Sequence, residues 1–140
     1  MASTLYLSCL YDMATGAIDF DTDTFYGMLT TSSYTPSANA HTTRADITNE
    51  VTGTGYTAKG QECTIVVTKL TGTNRISFAV DPITWAESEI TAAKLVIYKY
   101  NGGTAGGDPL VGCIEFGGNR TSTGGDFVFT ESAPFYLTRV

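Results

Sequence analysis

Ala92-Ala93-Lys94-Leu95-Val96-Ile97-Tyr98-Lys99-Tyr100 is the stretch that decides the fold. Apolar, β-branched and aromatic residues crowd it, and neither Gly nor Pro interrupts it, which is the make-up of a strand. Towards the C-terminus, the loop Asn101-Gly102-Gly103-Thr104-Ala105-Gly106-Gly107-Asp108-Pro109 follows. Residues 110–116 form the next expected strand, and residues 117–125 a second long glycine-rich loop. Residues 127–130 and 135–138 close the chain as two further strands, split near Pro134.

Towards the N-terminus, residues 82–90 read as a connector that holds the only Trp, Trp85. The runs 76–80 and 62–70 flank Thr71-Gly72-Thr73-Asn74, a hairpin turn. Residues 53–56 and 59–60 bracket a flexible connection, and residues 47–52 are extended. Residues 43–46 form one helical turn capped by Thr42 or Thr43. Residues 32–43 are a loop, and residues 24–31 and 17–20 are strands. Leu5, Leu7 and Cys9 alternate with Tyr6, Ser8 and Leu10, so residues 4–11 are expected to be the first strand, followed by a turn at 12–16. No amphipathic helix of ten or more residues is visible. The expected architecture is therefore all-β, a jelly-roll-like β-sandwich of about eight short antiparallel strands in one domain spanning residues 1–140. Trp85, Phe78, Phe116, Phe127 and Phe129 are the expected core aromatics.

The charge balance excludes some partners. Charged residues are 16% of the chain and the net charge is −6. The eight basic residues are spread from Arg44 to Arg139, without the cluster that phosphate neutralisation requires. No nucleic-acid partner is expected. No apolar run approaches the roughly 20 residues of a membrane span, and the N-terminus lacks a basic stretch followed by an apolar one. Synthesis in a reducing cytoplasm is the expectation. Cys9, Cys63 and Cys113 each lie among apolar residues and read as buried, reduced thiols.

Few residues carry chemistry. Asp19, Asp21 and Asp23 alternate and are the one weak metal candidate, a calcium-binding loop. The EF-hand pattern fails, because Thr24 stands where Gly should be and Thr30 where Glu should be. Glu87 and Glu89, with Asp81, could be read as a glycosidase carboxylate pair, but sequence spacing cannot set their separation, and a polar connector before the central strand is the preferred reading. His41 lies in a Thr-, Asn- and Ala-rich loop, with no G-x-S-x-G elbow to supply a nucleophile. The glycine pairs Gly102-Gly103, Gly106-Gly107, Gly117-Gly118 and Gly124-Gly125 lack the G-K-[ST] of a phosphate cradle. No catalytic residue and no cofactor is expected, so the chain reads as a non-enzyme. The eight Tyr residues could anchor an interface or stack on sugars.

Several segments together carry a resemblance. They are Asp21-Thr22-Asp23 followed by Met28-Leu29-Thr30-Thr31-Ser32-Ser33-Tyr34-Thr35-Pro36, then Asn49-Glu50-Val51-Thr52-Gly53-Thr54-Gly55-Tyr56-Thr57-Ala58, then Ile83-Thr84-Trp85, Val96-Ile97-Tyr98-Lys99 and Ile114-Glu115-Phe116-Gly117-Gly118. Over residues 17–130 the chain resembles small virion proteins of tailed bacteriophages, in the group that includes capsid cement, or decoration, proteins of short-tailed phages. The resemblance implies a jelly roll on the outer surface of the capsid that binds the major capsid protein and clamps neighbouring capsomers. A two-fold homodimer is the expected assembly, and a trimer its rival. The alternative reading is a tail- or fibre-associated carbohydrate-binding sandwich used in host adsorption, with the interface residues unassigned in either case.

Overall fold

The computed structural model describes residues 2–130 and 134–139. Within them lie eight strands: β1 (Ala2–Leu5), β2 (Phe25–Thr30), β3 (Gln61–Cys63), β4 (Ile65–Leu70), β5 (Arg75–Val80), β6 (Ile83–Lys99), β7 (Leu110–Phe129) and β8 (Phe135–Thr138). One α-helix, α1 (Leu7–Thr15), follows β1. The larger sheet has the order β1-β7-β6-β2-β3 and the smaller β4-β5-β8, with every pair antiparallel. The expected all-β sandwich is the fold.

The nine-residue run that decides the fold class lies in β6 and is covered on both faces. Leu95 and Ile97 point into the main core, while Val96 and Tyr98 point into a second cluster with Tyr6, Met28, Tyr34, Leu110 and Cys113. A strand buried on both faces cannot alternate in polarity. Earlier in the same strand only one face is covered, and buried Ile83 and Trp85 alternate with exposed Thr84 and Ala86. Trp85, Phe78, Phe116, Phe127 and Phe129 all belong to the main core, as expected.

Two expected loops are strand instead. Residues 82–90 and 117–125 pair with each other, with Trp85 opposite Phe127 and Thr91 opposite Thr121. Accordingly β6 and β7 are 17 and 20 residues long rather than short. The glycines act as bulge points inside the ladder. Gly117 and Gly124 have φ of +82° and +88°, values that cost Gly nothing. Between the pairs Ala92–Arg120 and Lys94–Glu115, Ala93 alone faces residues 116–119. Such an insertion bends the ladder without ending it.

Residues 4–11 are not one strand. β1 ends at Leu5 and α1 begins at Leu7. Tyr6 and Cys9 are fully buried and Met13 packs on the main core, an i, i+3, i+7 spacing that suits a helix face. Leu7 and Tyr11, which the alternating reading treated as strand residues, are 51% and 68% exposed. Gly16, at φ 84°, closes the helix by donating its N–H to the Asp12 and Met13 carbonyls. Residues 17–20 form no strand, and residues 47–52 make only the isolated bridge Thr30–Glu50. The run 62–70 breaks at Thr64, where the chain leaves the larger sheet for the smaller one. The helical turn Arg44–Asp46 forms as expected, with Thr43 and Asp46 capping each other. Asn74, at φ 56°, closes the 71–74 turn.

Candidate interaction surface

The carboxylates Asp19, Asp21 and Asp23 build a turn rather than a shared ligand shell. Asp19 Oδ1 accepts the Asp21 N–H at 2.9 Å, and Asp23 Oδ2 accepts the Asp19 N–H at 2.7 Å. Asp23 also pairs with Lys99 Nζ at 3.1 Å. Among the described residues, no three His, Cys, Asp or Glu side chains converge to hold a metal ion.

Glu87 and Glu89 flank a bulge of β6. Glu87 sits at φ 48° and takes its backbone N–H to Asp126 Oδ1 at 3.2 Å. Ser88 between them is buried, with its Oγ 2.7 Å from Ser122 Oγ. The three residues therefore shape the long hairpin.

His41 anchors the segment that covers the second cluster. Its Nδ1 accepts the Ser37 N–H at 3.2 Å and lies 2.9 Å from the Tyr34 hydroxyl, which in turn lies 2.8 Å from the Tyr6 hydroxyl. An Nδ1 that receives a backbone N–H carries no proton, so Tyr34 donates to it and Tyr6 donates to Tyr34. Burial raises the pKa of the Tyr6 hydroxyl, with Cys113 beside it adding to the effect, and burial pushes Tyr34 up to about 12. Cys9, Cys63 and Cys113 are buried and unpaired, and burial pushes each thiol up to about 12. Thiols held protonated in this way are poor nucleophiles.

The aromatics divide sharply. Trp85 is only 3% exposed, and Tyr6, Tyr34 and Tyr98 are buried. None of these four offers a face for a sugar ring.

The smaller sheet carries the feature that sequence reading left unassigned. Directly opposed residues in an antiparallel pair share a face. The register therefore places Val67, Phe78 and Phe135 in one row, and Lys69, Ile76 and Leu137 in the next row on the same face. Phe78 and Phe135 are buried in the main core. Ile76 and Leu137 are only partly buried at its margin. The sheet thus runs past the core and leaves a cleft of about 480 Å³ at its end, lined by these residues with Leu70, Arg75 and Arg139. On the opposite face of the sheet, Val66 and Tyr136 are 51% and 41% exposed. β4 is an edge strand whose outer backbone has no partner strand among the described residues.

Charge sets this end apart. Residues 64–80 and 134–139 contain no Asp or Glu but include Lys69, Arg75 and Arg139. With 14 acidic and eight basic residues in all, the remainder carries five basic side chains and a net charge of −9. Arg75 stacks over the Tyr136 ring at 4.1 Å, and its Nε is buried with no acceptor among the described residues. Arg139 donates to Asn74 Oδ1 at 3.2 Å. Among the described residues none of the three cations meets a carboxylate; the ion pairs there are Arg44–Asp108, Lys94–Glu115 and Lys99–Asp23. The scattered positions of these cations hide the cluster in the sequence, and only the pairing of β8 with β5 brings Arg139 to it.

Comparison of the chain with protein-family models, with curated proteins and with solved structures finds no match in any of the three.

Proposed function

We propose that this chain is a capsid cement protein of a tailed bacteriophage. It binds the outer surface of the major capsid protein shell and clamps neighbouring capsomers, without a chemical step of its own. The observation that carries the reading is the overhanging end of the smaller sheet, with an apolar floor and, among the described residues, no carboxylate in its lining, on an otherwise acidic body. Exposed apolar side chains beside an unpaired strand edge are a liability for a free protein and an asset for one that is meant to be covered. The resemblance of residues 17–130 to phage virion proteins points the same way.

A rigid sandwich suits such a role. A protein that binds only the assembled shell stabilises it by mass action. Contacts to two capsomers make the second contact intramolecular, so modest interfaces add up. A two-fold dimer across a capsomer boundary provides both contacts, and analytical ultracentrifugation distinguishes it from a trimer. The direct test adds the purified protein to phage heads that lack it. Saturable co-sedimentation and a raised temperature of genome release support the clamp. Heads that bind nothing, or that gain no heat resistance when coated, refute it.

A further inference from the structure

We infer that the cleft at the end of the smaller sheet binds an acidic segment of the partner, through an aliphatic side chain seated between carboxylates. This inference rests on the cement reading for where the segment comes from, and on the cleft alone for its chemistry. The floor is aliphatic, formed by Ile76 and Leu137 with Leu70 beside them. Lys69 on β4 and Arg139 just past β8 stand on either side of that floor. Two strand spacings separate them, roughly 10 Å. In an extended segment, carboxylates two residues apart lie about 7 Å from each other on one face, and the side chain of the residue between them points to the other face. With that aliphatic side chain turned down onto Ile76 and Leu137, the carboxylates point away from the floor, and the long flexible arms of Lys69 and Arg139 rise on either side of the segment to meet them. Arg75 is held against Tyr136 and adds positive field without needing to move.

Charge complementarity selects this occupant over a second copy meeting the cleft across a two-fold axis. That arrangement would set Lys69, Arg75 and Arg139 against their own images, and like charges brought together at an interface oppose association. An acidic partner segment removes the repulsion, so the dimer contact lies elsewhere on the molecule.

The test uses the full chain and three capped hexapeptides: alternating glutamate and leucine, the same peptide with glutamine for glutamate, and the same with lysine. Binding is followed by fluorescence anisotropy and by backbone amide shifts. The glutamate peptide is expected to bind, to shift the Ile76 and Leu137 amides, and to weaken as salt rises. The glutamine and lysine peptides are expected to bind at least about tenfold more weakly, as two lost charge-assisted contacts require. Lys69→Glu with Arg139→Glu should abolish glutamate-peptide binding, and Lys69→Gln with Arg139→Gln should reduce it, with circular dichroism unchanged in both. Equal binding of the glutamate and glutamine peptides overturns the inference. So does failure of the glutamate peptide to bind, or self-association of the wild type that the charge reversals abolish. If heads bind the wild type and the charge-reversed protein alike, the cleft inference fails and the cement reading stands. If the glutamate peptide binds but heads do not, the reverse holds.

Discussion

Replacing Gly112 by Ala puts the packing of the two sheets to a direct test. Gly112 lies on β7 opposite Ile97, on the face that meets the smaller sheet. A Cβ there would stand 2.4 and 2.5 Å from two ring carbons of Phe135, and 2.9 Å from the Thr4 carbonyl oxygen. Ordinary carbon contacts are about 3.5–4.0 Å, so the ring must retreat by more than about 1 Å. Phe135 is 3% exposed and has nowhere to go without moving β8, and Thr4 is held in β1. Overpacking of this kind costs about 1–3 kcal/mol, and a clash with both ring and backbone belongs at the upper end. For a chain of this size a loss of about 3 kcal/mol lowers the melting temperature by roughly 10 °C. The alternative has the opposite sign. If the two sheets did not meet here, Gly→Ala would stabilise the protein by about 0.4–1 kcal/mol through the unfolded state. Urea denaturation of Gly112→Ala, Phe135→Leu and the double variant separates the cases. The smaller Leu relieves the clash, so the double variant should be at least about 1 kcal/mol more stable than the sum of the single effects. A neutral or stabilising Gly112→Ala, or a strictly additive pair, refutes the packing.

Further expectations follow from other sites. Asp108 is fully buried, accepts the Asn101 N–H and pairs with Arg44 Nε at 2.8 Å. Arg44→Ala strands that charge and should cost about 3–5 kcal/mol in chemical denaturation. Tyr34→Phe leaves the buried Tyr6 hydroxyl without its acceptor, and should cost about 1–3 kcal/mol by the same assay. The three buried thiols should resist a maleimide at mild alkaline pH in the native state and react fully once unfolded. The backbone N–H groups of Thr42 and Thr43 hold the Asp46 carboxyl below its ordinary value of 3.8. Its contribution is therefore present above that value and disappears as pH falls through the lower, folded one. Asp46→Ala should cost about 1 kcal/mol at neutral pH, as lost caps do, and less in acid, where the wild-type carboxyl is protonated; thermal melts across that range read the difference.

Local chemistry made some features legible in the sequence. The 71–74 turn, the 43–46 cap and the core aromatics each depend on residues close in the chain or on burial alone. The first helix was hidden because Leu5, Leu7 and Cys9 satisfy a two-residue period as well as Tyr6, Cys9 and Met13 satisfy a helical one. The length of β6 and β7 was hidden because glycines in a bulged ladder have the same composition as glycines in a loop. The cleft could not be read at all. Its two halves, β4–β5 and β8, are more than sixty residues apart in part, and its charges stand out only against what surrounds them in space.

The measurement that bears most directly on the account is the copy number of this chain in purified virions, by quantitative mass spectrometry of intact particles and of separated heads and tails. The account predicts that it is abundant, in proportion to the major capsid protein, and that it remains with the heads. Its absence from the head fraction, or a few copies confined to the tail, would contradict it.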